Sequence, residues 1–177
     1  MRAISYLFIL VFLTICPSIR AQVMEGRFAI RGGFYLGNDF TNGSSRTHLE
    51  GFEIGGDIPL VRHVKGVGGI LLSPTIVFGG SNRKGPDTDG NIYRLMLTVK
   101  RGFGEKGLYG GLGIGGSTTG AHQSQFKDVS GFTSQFLLGY LFNFSRGTEV
   151  KPFFEASYFV GSESKLSGLS LNIGARF

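Results

Sequence analysis

The last nine residues alternate strictly between apolar side chains and small or polar ones. One face carries Leu169, Leu171, Ile173, Ala175 and Phe177, and the other carries Ser170, Asn172, Gly174 and Arg176. Successive side chains of a β-strand point to opposite faces, so this period of two predicts a strand with one apolar and one polar wall. Because the apolar wall ends on an aromatic residue, we interpret the segment as a strand that closes a barrel.

Seven further segments show the same kind of alternation. They span residues 26–37, 49–60, 67–78, 92–101, 107–117, 132–144 and 150–160. Each is about as long as the 9–11 residues that a tilted strand needs to cross a bilayer, whereas strands of globular proteins are usually nearer five or six. Pro74 lies inside the third segment and predicts a bulge or bend there, because proline cannot donate a ladder hydrogen bond.

The connections between these segments alternate in length. Short basic turns are expected at 62–66, 102–106 and 145–149, and longer polar loops at 38–48, 79–91, 119–130 and 161–167. Short turns at one end and longer loops at the other are typical of an up-and-down barrel in the outer membrane. The sequence therefore predicts an all-β protein, an eight-stranded antiparallel up-and-down transmembrane β-barrel, with both chain ends on the turn side.

The first 21 residues differ from the rest in composition. Arg2 is followed by an apolar stretch over 4–16, and Ala21 stands just before Gln22. This order is typical of a cleavable signal peptide, and the stretch is shorter than the roughly 20 residues of a spanning helix. We expect a signal peptide at 1–21 and one barrel domain at 22–177. Acylation of Cys16, the only cysteine, is the alternative reading of this region.

Alternation alone does not say which wall of a barrel faces inward. A secreted lipocalin-like barrel also has eight antiparallel strands, but its apolar wall lines a ligand cavity. The charged members of the polar wall are Arg31, Glu53, Asp57, Arg94, Lys100 and Glu155. A water-facing wall is usually densely charged, and only 17% of this chain is charged. The composition therefore favours the membrane orientation, with the charged residues paired as a polar network in a narrow lumen.

This pattern resembles the small eight-stranded outer-membrane barrels, the family of OmpX and the OmpA transmembrane domain, often called porin-like outer-membrane β-barrel proteins. The tail, with Leu169, Leu171, Ile173, Ala175 and Phe177, resembles their C-terminal assembly signal. The resemblance implies a monomer in the bacterial outer membrane, contact with outer-membrane lipids, and recognition of the last strand by the barrel-assembly machinery. The chain departs from the family in having no Trp, so the interfacial aromatic girdles would consist of Tyr and Phe.

The sequence says less about activity. An eight-stranded barrel is just wide enough to be filled by side chains, so we expect a non-enzymatic structural or surface-interaction role, in adhesion or envelope integrity, towards an extracellular ligand that the sequence does not identify. The alternative is a narrow porin-like channel or conduit for small solutes or hydrophobic molecules. The Gly-rich wall at 111–115 favours a local void, or relieves crowding against Tyr109, Phe153 and Phe159.

A lipid A-modifying enzyme is the second alternative. Such barrels use a His base, a Ser and an orienting carboxylate, and His122, Ser124 and Asp128 are the residues that fit this pattern. Residues 87–91 resemble a fragment of a calcium loop, although the glycine comes too early for an EF-hand. Scattered basic residues argue against nucleic-acid binding. No motif predicts a cofactor.

Overall fold

The computed structural model describes residues 27–38, 40–42, 45–64, 68–81, 89–103, 107–121, 129–142 and 150–177. In chain order the elements are β1 (Ala29–Gly37), β2 (Phe40–Asn42), β3 (Ser45–Thr47), β4 (Leu49–Val64), β5 (Gly68–Ser81), β6 (Asp89–Gly102), β7 (Leu108–Ala121), β8 (Ser130–Leu141), β9 (Lys151–Gly161), a 3-10 helix (Ser164–Leu166) and β10 (Gly168–Arg176). No helix in these ranges is long and apolar enough to cross a membrane. Nearly all of the described structure is strand.

Eight strands, β1 and β4 to β10, form a closed barrel in which every neighbouring pair is antiparallel. The last strand closes it, because β10 pairs with β9 on one side and with β1 on the other. The closing register runs from Ala29 opposite Arg176 to Gly37 opposite Gly168. One more backbone bond follows, from the Phe177 N–H to the Phe28 carbonyl at 2.9 Å. The predicted eight-stranded up-and-down barrel is confirmed.

The apolar wall of each strand faces outward. Ile173 is 70% exposed and Leu97 is 43% exposed, whereas Arg94 and Glu155 are buried in the interior. The lipocalin-like arrangement requires the reverse placement, so the structure excludes it. A continuous apolar exterior around a polar interior is the arrangement of a barrel whose solvent is lipid.

The loop side contains structure that the sequence did not predict. The first loop includes a two-stranded antiparallel sheet, β2 with β3. On the same side β6 begins at Asp89 and β7 continues to Ala121, beyond the predicted limits at 92 and 117. Those limits were placed where apolar alternation stops. Backbone hydrogen bonds continue past that point because a ladder does not require apolar side chains.

Of the bulge or bend predicted at Pro74, the structure excludes the bulge. Between β4 and β5 the register is the same on both sides of Pro74, and the shifts occur instead between Pro59 and Val61 and between Val61 and Val64. A proline in a ladder removes one hydrogen bond without forcing an extra residue into the strand. The shifts lie near the turn, where few pairs remain to hold the register.

Two turn-side glycines adopt a backbone conformation that other residues rarely reach. Gly68 has φ of 110° and Gly107 has φ of 79°. The Cβ of any other residue would meet the Lys100 carbonyl oxygen at Gly68 and the Leu141 carbonyl oxygen at Gly107. These glycines therefore allow the short connections into β5 and β7.

Candidate functional site: the barrel interior

The interior has apolar side chains at both ends and polar ones between them. The turn-side cluster consists of Ala29, Tyr109, Leu137 and Phe153. The loop-side cluster consists of Tyr35, Leu49, Val77, Ile92, Phe159 and Leu166. Most of the buried polar and charged residues lie between the clusters, and buried Arg176 lies at the turn-side end, opposite Ala29. The two clusters separate this polar layer from both mouths of the barrel.

One half of the polar layer is organised around Asp57. Its carboxylate accepts hydrogen bonds from Arg31 at 2.7 Å, from Lys100 Nζ at 2.7 Å and from the Ser73 hydroxyl at 2.8 Å. Lys100 Nζ also donates to Glu155 at 2.5 Å. Because these groups come from β1, β4, β5, β6 and β9, the charges link strands on different sides of the barrel.

The other half of the layer is organised around Glu53. Ser170 and Asn172 of β10 both donate to its carboxylate, Asn172 at 3.0 Å. Two guanidinium groups lie farther away, with Arg31 Nε at 3.9 Å and Arg94 Nη1 at 3.7 Å. Arg31 Nε, Arg94 Nε and Nη1 and Asn172 Oδ1 are the buried side-chain polar atoms without a hydrogen-bond partner in the described ranges. A polar site of this kind can hold ordered water.

The 3-10 helix closes the loop-side mouth. It places Leu166 against the loop-side cluster with no exposed surface. The Tyr35 hydroxyl donates to the Ser167 carbonyl at 2.9 Å, and an Arg94 N–H donates to the Leu166 carbonyl at 3.4 Å. The Arg94 guanidinium lies over the rings of both Tyr35 and Phe159, with its Cζ 4.6 and 4.2 Å from their centroids. The connection from β9 to β10 is therefore a plug that the barrel wall holds in place.

The glycine-rich wall of β7 has different neighbours from those expected. A Cβ at Gly111 would lie 2.5 Å from the Val99 carbonyl oxygen and 3.0 Å from Leu137, and one at Gly113 would lie 2.8 Å from Gln135. The Tyr109 ring lies instead against Gly139, and the Phe153 ring against Gly174. The glycines of β7 thus accommodate the side chains of β8 and β6, whereas the aromatic rings of the turn-side cluster rest on other glycines.

All six charged residues that the sequence assigned to the lumen lie in the interior. Ion pairs connect them into one group: Arg31 with Asp57, Glu53 and Glu155, Arg94 with Glu53, and Lys100 with Asp57 and Glu155. The predicted lumen network did not include Tyr109, Ser170 and Asn172, although the same period of two places their side chains on the inner wall. The Tyr109 hydroxyl donates to Glu155 at 3.1 Å.

Other sequence hypotheses fall outside what the structure covers. The signal peptide at 1–21, the Cys16 alternative, and the His122, Ser124 and Asp128 set lie outside the described residues, as do residues 87 and 88 of the calcium-like segment. Within the described ranges, no group of three or more His, Cys, Asp or Glu residues is placed to hold a metal ion.

The closed ring of eight strands, the apolar exterior and the paired charges inside together define the architecture. The chain has the fold of an eight-stranded outer-membrane β-barrel. No protein-family model matches the sequence, and no curated protein matches it. Among solved structures, the chain is similar to Ail, the attachment invasion locus protein of Yersinia pestis, with 19% sequence identity and a TM-score of 0.46. The match covers 86% of this chain and 98% of Ail.

Proposed function

We propose that this protein is a monomeric barrel of the bacterial outer membrane with a structural or surface-interaction role and no enzymatic activity. The observation that carries the proposal is the apolar exterior of a closed barrel, with residues such as Ile30, Phe132 and Ile173 all more than half exposed. A water-soluble monomer rarely exposes so large a contiguous apolar surface. In a bilayer the same surface contacts acyl chains instead of water, so its exposure carries no free-energy penalty.

Because side chains fill the interior, the proposal places contacts with partners at the ends of the barrel. Among the described residues, the two apolar clusters and the plug occupy both ends of the lumen. The proposal assigns contacts with other molecules to the loop side. There the β2–β3 sheet has outer edges that pair with no described strand, and such edges can bind an extended segment of a partner by strand addition. Interaction through this side supports adhesion or envelope integrity as the role. Assembly by the barrel machinery through β10 is part of the same proposal.

Fractionation combined with gel migration tests the membrane placement. We expect the protein in the outer-membrane fraction, and we expect unheated samples to migrate differently from boiled ones, because a closed barrel resists detergent until it is heated. A water-soluble periplasmic protein whose migration does not change with heating would contradict the proposal. Detection of the mature N-terminus by mass spectrometry in the same sample tests the predicted cleavage after Ala21.

A narrow channel is the second candidate, and the unpartnered atoms of Arg94 and Asn172 favour it because they leave polar sites for water in the lumen. Leu166 and the surrounding cluster nevertheless block the loop-side mouth. We expect the refolded barrel to show no stable openings in planar-bilayer recordings. Reproducible openings of one size would favour the channel over the surface role.

A further inference from the structure

The turn-side mouth of the barrel is basic on its inner wall. Arg176 ends β10, and Lys151 lies directly opposite it on β9. Residues that face each other across a ladder share one side of the sheet, and here that side is the interior, where Ala29 of β1 also faces Arg176. Arg27 precedes Ala29 by two positions and is close enough to repel Arg176. We refer to Arg27, Lys151 and Arg176 as the basic rim.

Arg176 is buried without a counterion. It is 5% exposed, and its Cζ lies 6.0 Å from the centroid of the Tyr109 ring. Within the described ranges, the terminus at Phe177 included, no carboxylate forms an ion pair with it and no acceptor takes a hydrogen bond from it. Its nitrogens are not among the fully enclosed unpartnered atoms, so a ligand can reach them from the mouth. Because a buried cation is costly unless it is paired, Arg176 marks a position for an anion.

The carboxylates deeper in the lumen do not compensate the basic rim. The ion pairs of the lumen join three cations to three carboxylates, so that network is balanced without Arg176. Asp57 and Glu155 attract Arg176 from beyond ion-pair distance, but both of them bind Lys100. Like charges that face each other destabilise a sheet. An anion bound at the basic rim would therefore stabilise this end of the barrel.

A phosphate group is the anion that fits the basic rim. A guanidinium presents a planar fork that binds two phosphate oxygens at once, and an ammonium adds a compact charge. Phosphate has more acceptor oxygens than a carboxylate, so one group can bind both side chains. Each rim residue is next in the chain to an exposed apolar residue, Phe28, Val150 or Phe177, so the apolar exterior ends at this level. In the proposed orientation the headgroups of the inner leaflet lie at the same height.

We propose that the basic rim binds a phosphate group through the Arg176 guanidinium and the Lys151 ammonium group. Two sources share this chemistry, the headgroup of an inner-leaflet phospholipid and free phosphate in the periplasm. The inference goes beyond the proposed function, which gives the turn side no binding role. It makes the turn side a second site of contact, separate from the loops.

The stability of the barrel in inorganic phosphate tests the inference. The protein is folded in a nonionic detergent, and sodium chloride is replaced by sodium phosphate at constant ionic strength. A ligand that binds the folded state alone raises the free energy of unfolding, so we expect the urea midpoint of the wild type to rise with phosphate concentration. The dissociation constant from this dependence is expected to increase about tenfold in Arg176→Gln, because charge-assisted hydrogen bonds are lost. We expect about threefold in Lys151→Gln, because Lys151 is partly exposed.

The matched control is Arg101→Gln. Arg101 lies at the turn-side end of β6, the strand diametrically opposite β10, so this variant removes one positive charge from the same end without altering the basic rim. We expect its dissociation constant to equal that of the wild type. An equal weakening in Arg101→Gln and Arg176→Gln overturns the inference, and so does a wild type whose stability phosphate does not change. If gel migration shows that Arg176→Gln does not fold, Lys151→Gln is compared with the control on the same terms.

Bilayers separate the two sources of phosphate. The barrel is reconstituted in vesicles of phosphatidylcholine and phosphatidylglycerol, and native mass spectrometry counts the phosphatidylglycerol that stays bound in detergent. More phosphatidylglycerol on the wild type than on Arg176→Gln assigns the site to lipid headgroups. Equal amounts, together with the effect of inorganic phosphate, assign it to free phosphate. The titration in detergent needs only a folded barrel, so its failure would leave the proposed membrane placement intact.

Discussion

Replacement of Leu97 by Arg is expected to destabilise the barrel in a lipid bilayer by about 2–4 kcal/mol. Leu97 lies mid-strand in β6 and points outward, with Leu72 and Ile114 opposite it on the neighbouring strands. In the proposed orientation this position is surrounded by acyl chains, where a guanidinium loses its hydration. The measurement is the free energy of unfolding in urea in the presence of vesicles, followed by heat-dependent gel migration.

The depth dependence of this cost distinguishes a membrane barrel from a soluble one. Val150 is also exposed, at 46%, but it lies at the turn-side rim just before β9. Val150→Arg is expected to cost only about 0–1 kcal/mol, as at a membrane interface. If the exterior faced water, both arginines would be solvated and neither variant would differ from the wild type by more than about 0.5 kcal/mol. Equal stabilities of Leu97→Arg and the wild type would therefore refute the lipid-facing exterior.

The period of two allowed most of the fold to be predicted. In β6 it placed Tyr93, Leu95 and Leu97 on one wall and Arg94 on the other, and the structure has that arrangement. The number of barrel strands followed from the eight alternating segments, and their up-and-down order from the alternating lengths of the connections. The ends of the strands could not be predicted in this way. The ladder between β6 and β7 continues to the pair of Gly90 and Ala121, beyond the residues in which apolar and polar side chains alternate.

The composition of the interior was predictable, but its contacts were not. Alternation identified which charges share the inner wall, whereas pairing depends on how far neighbouring strands are staggered. Arg31 and Asp57 are 26 residues apart in sequence, and Lys100 and Glu155 are 55 apart, so neither pair leaves a local signal. The plug was missed for a related reason. Leu166 is a single apolar residue in a short polar segment, and only the folded barrel provides the cluster against which it packs.

Replacement of Lys100 by Met is expected to cost about 3–5 kcal/mol, the largest effect of any single substitution considered. Lys100 is 2% exposed, and its ammonium group contacts both Asp57 and Glu155. Without it Asp57 keeps Arg31 at 2.7 Å, whereas the nearest cation to Glu155 is Arg31 at 4.0 Å. Glu155 is therefore left as a buried carboxylate whose remaining ion pair is the long one to Arg31, and a buried charge that is so weakly compensated is costly.

A double variant separates this loss of charge compensation from a simple packing defect. Lys100→Met with Glu155→Gln removes the stranded charge, and the amide oxygen of Gln can still accept the hydrogen bond from Tyr109. We expect the double variant to be more stable than Lys100→Met alone, with a coupling of about 1–3 kcal/mol in urea unfolding. Lys151→Met, at the partly exposed start of β9, is the control and should be within about 0.5 kcal/mol of the wild type. If the double variant is no more stable than Lys100→Met alone, the destabilisation comes from the loss of the lysine side chain itself. That result would show that the ion pairs of Lys100 do not stabilise the barrel.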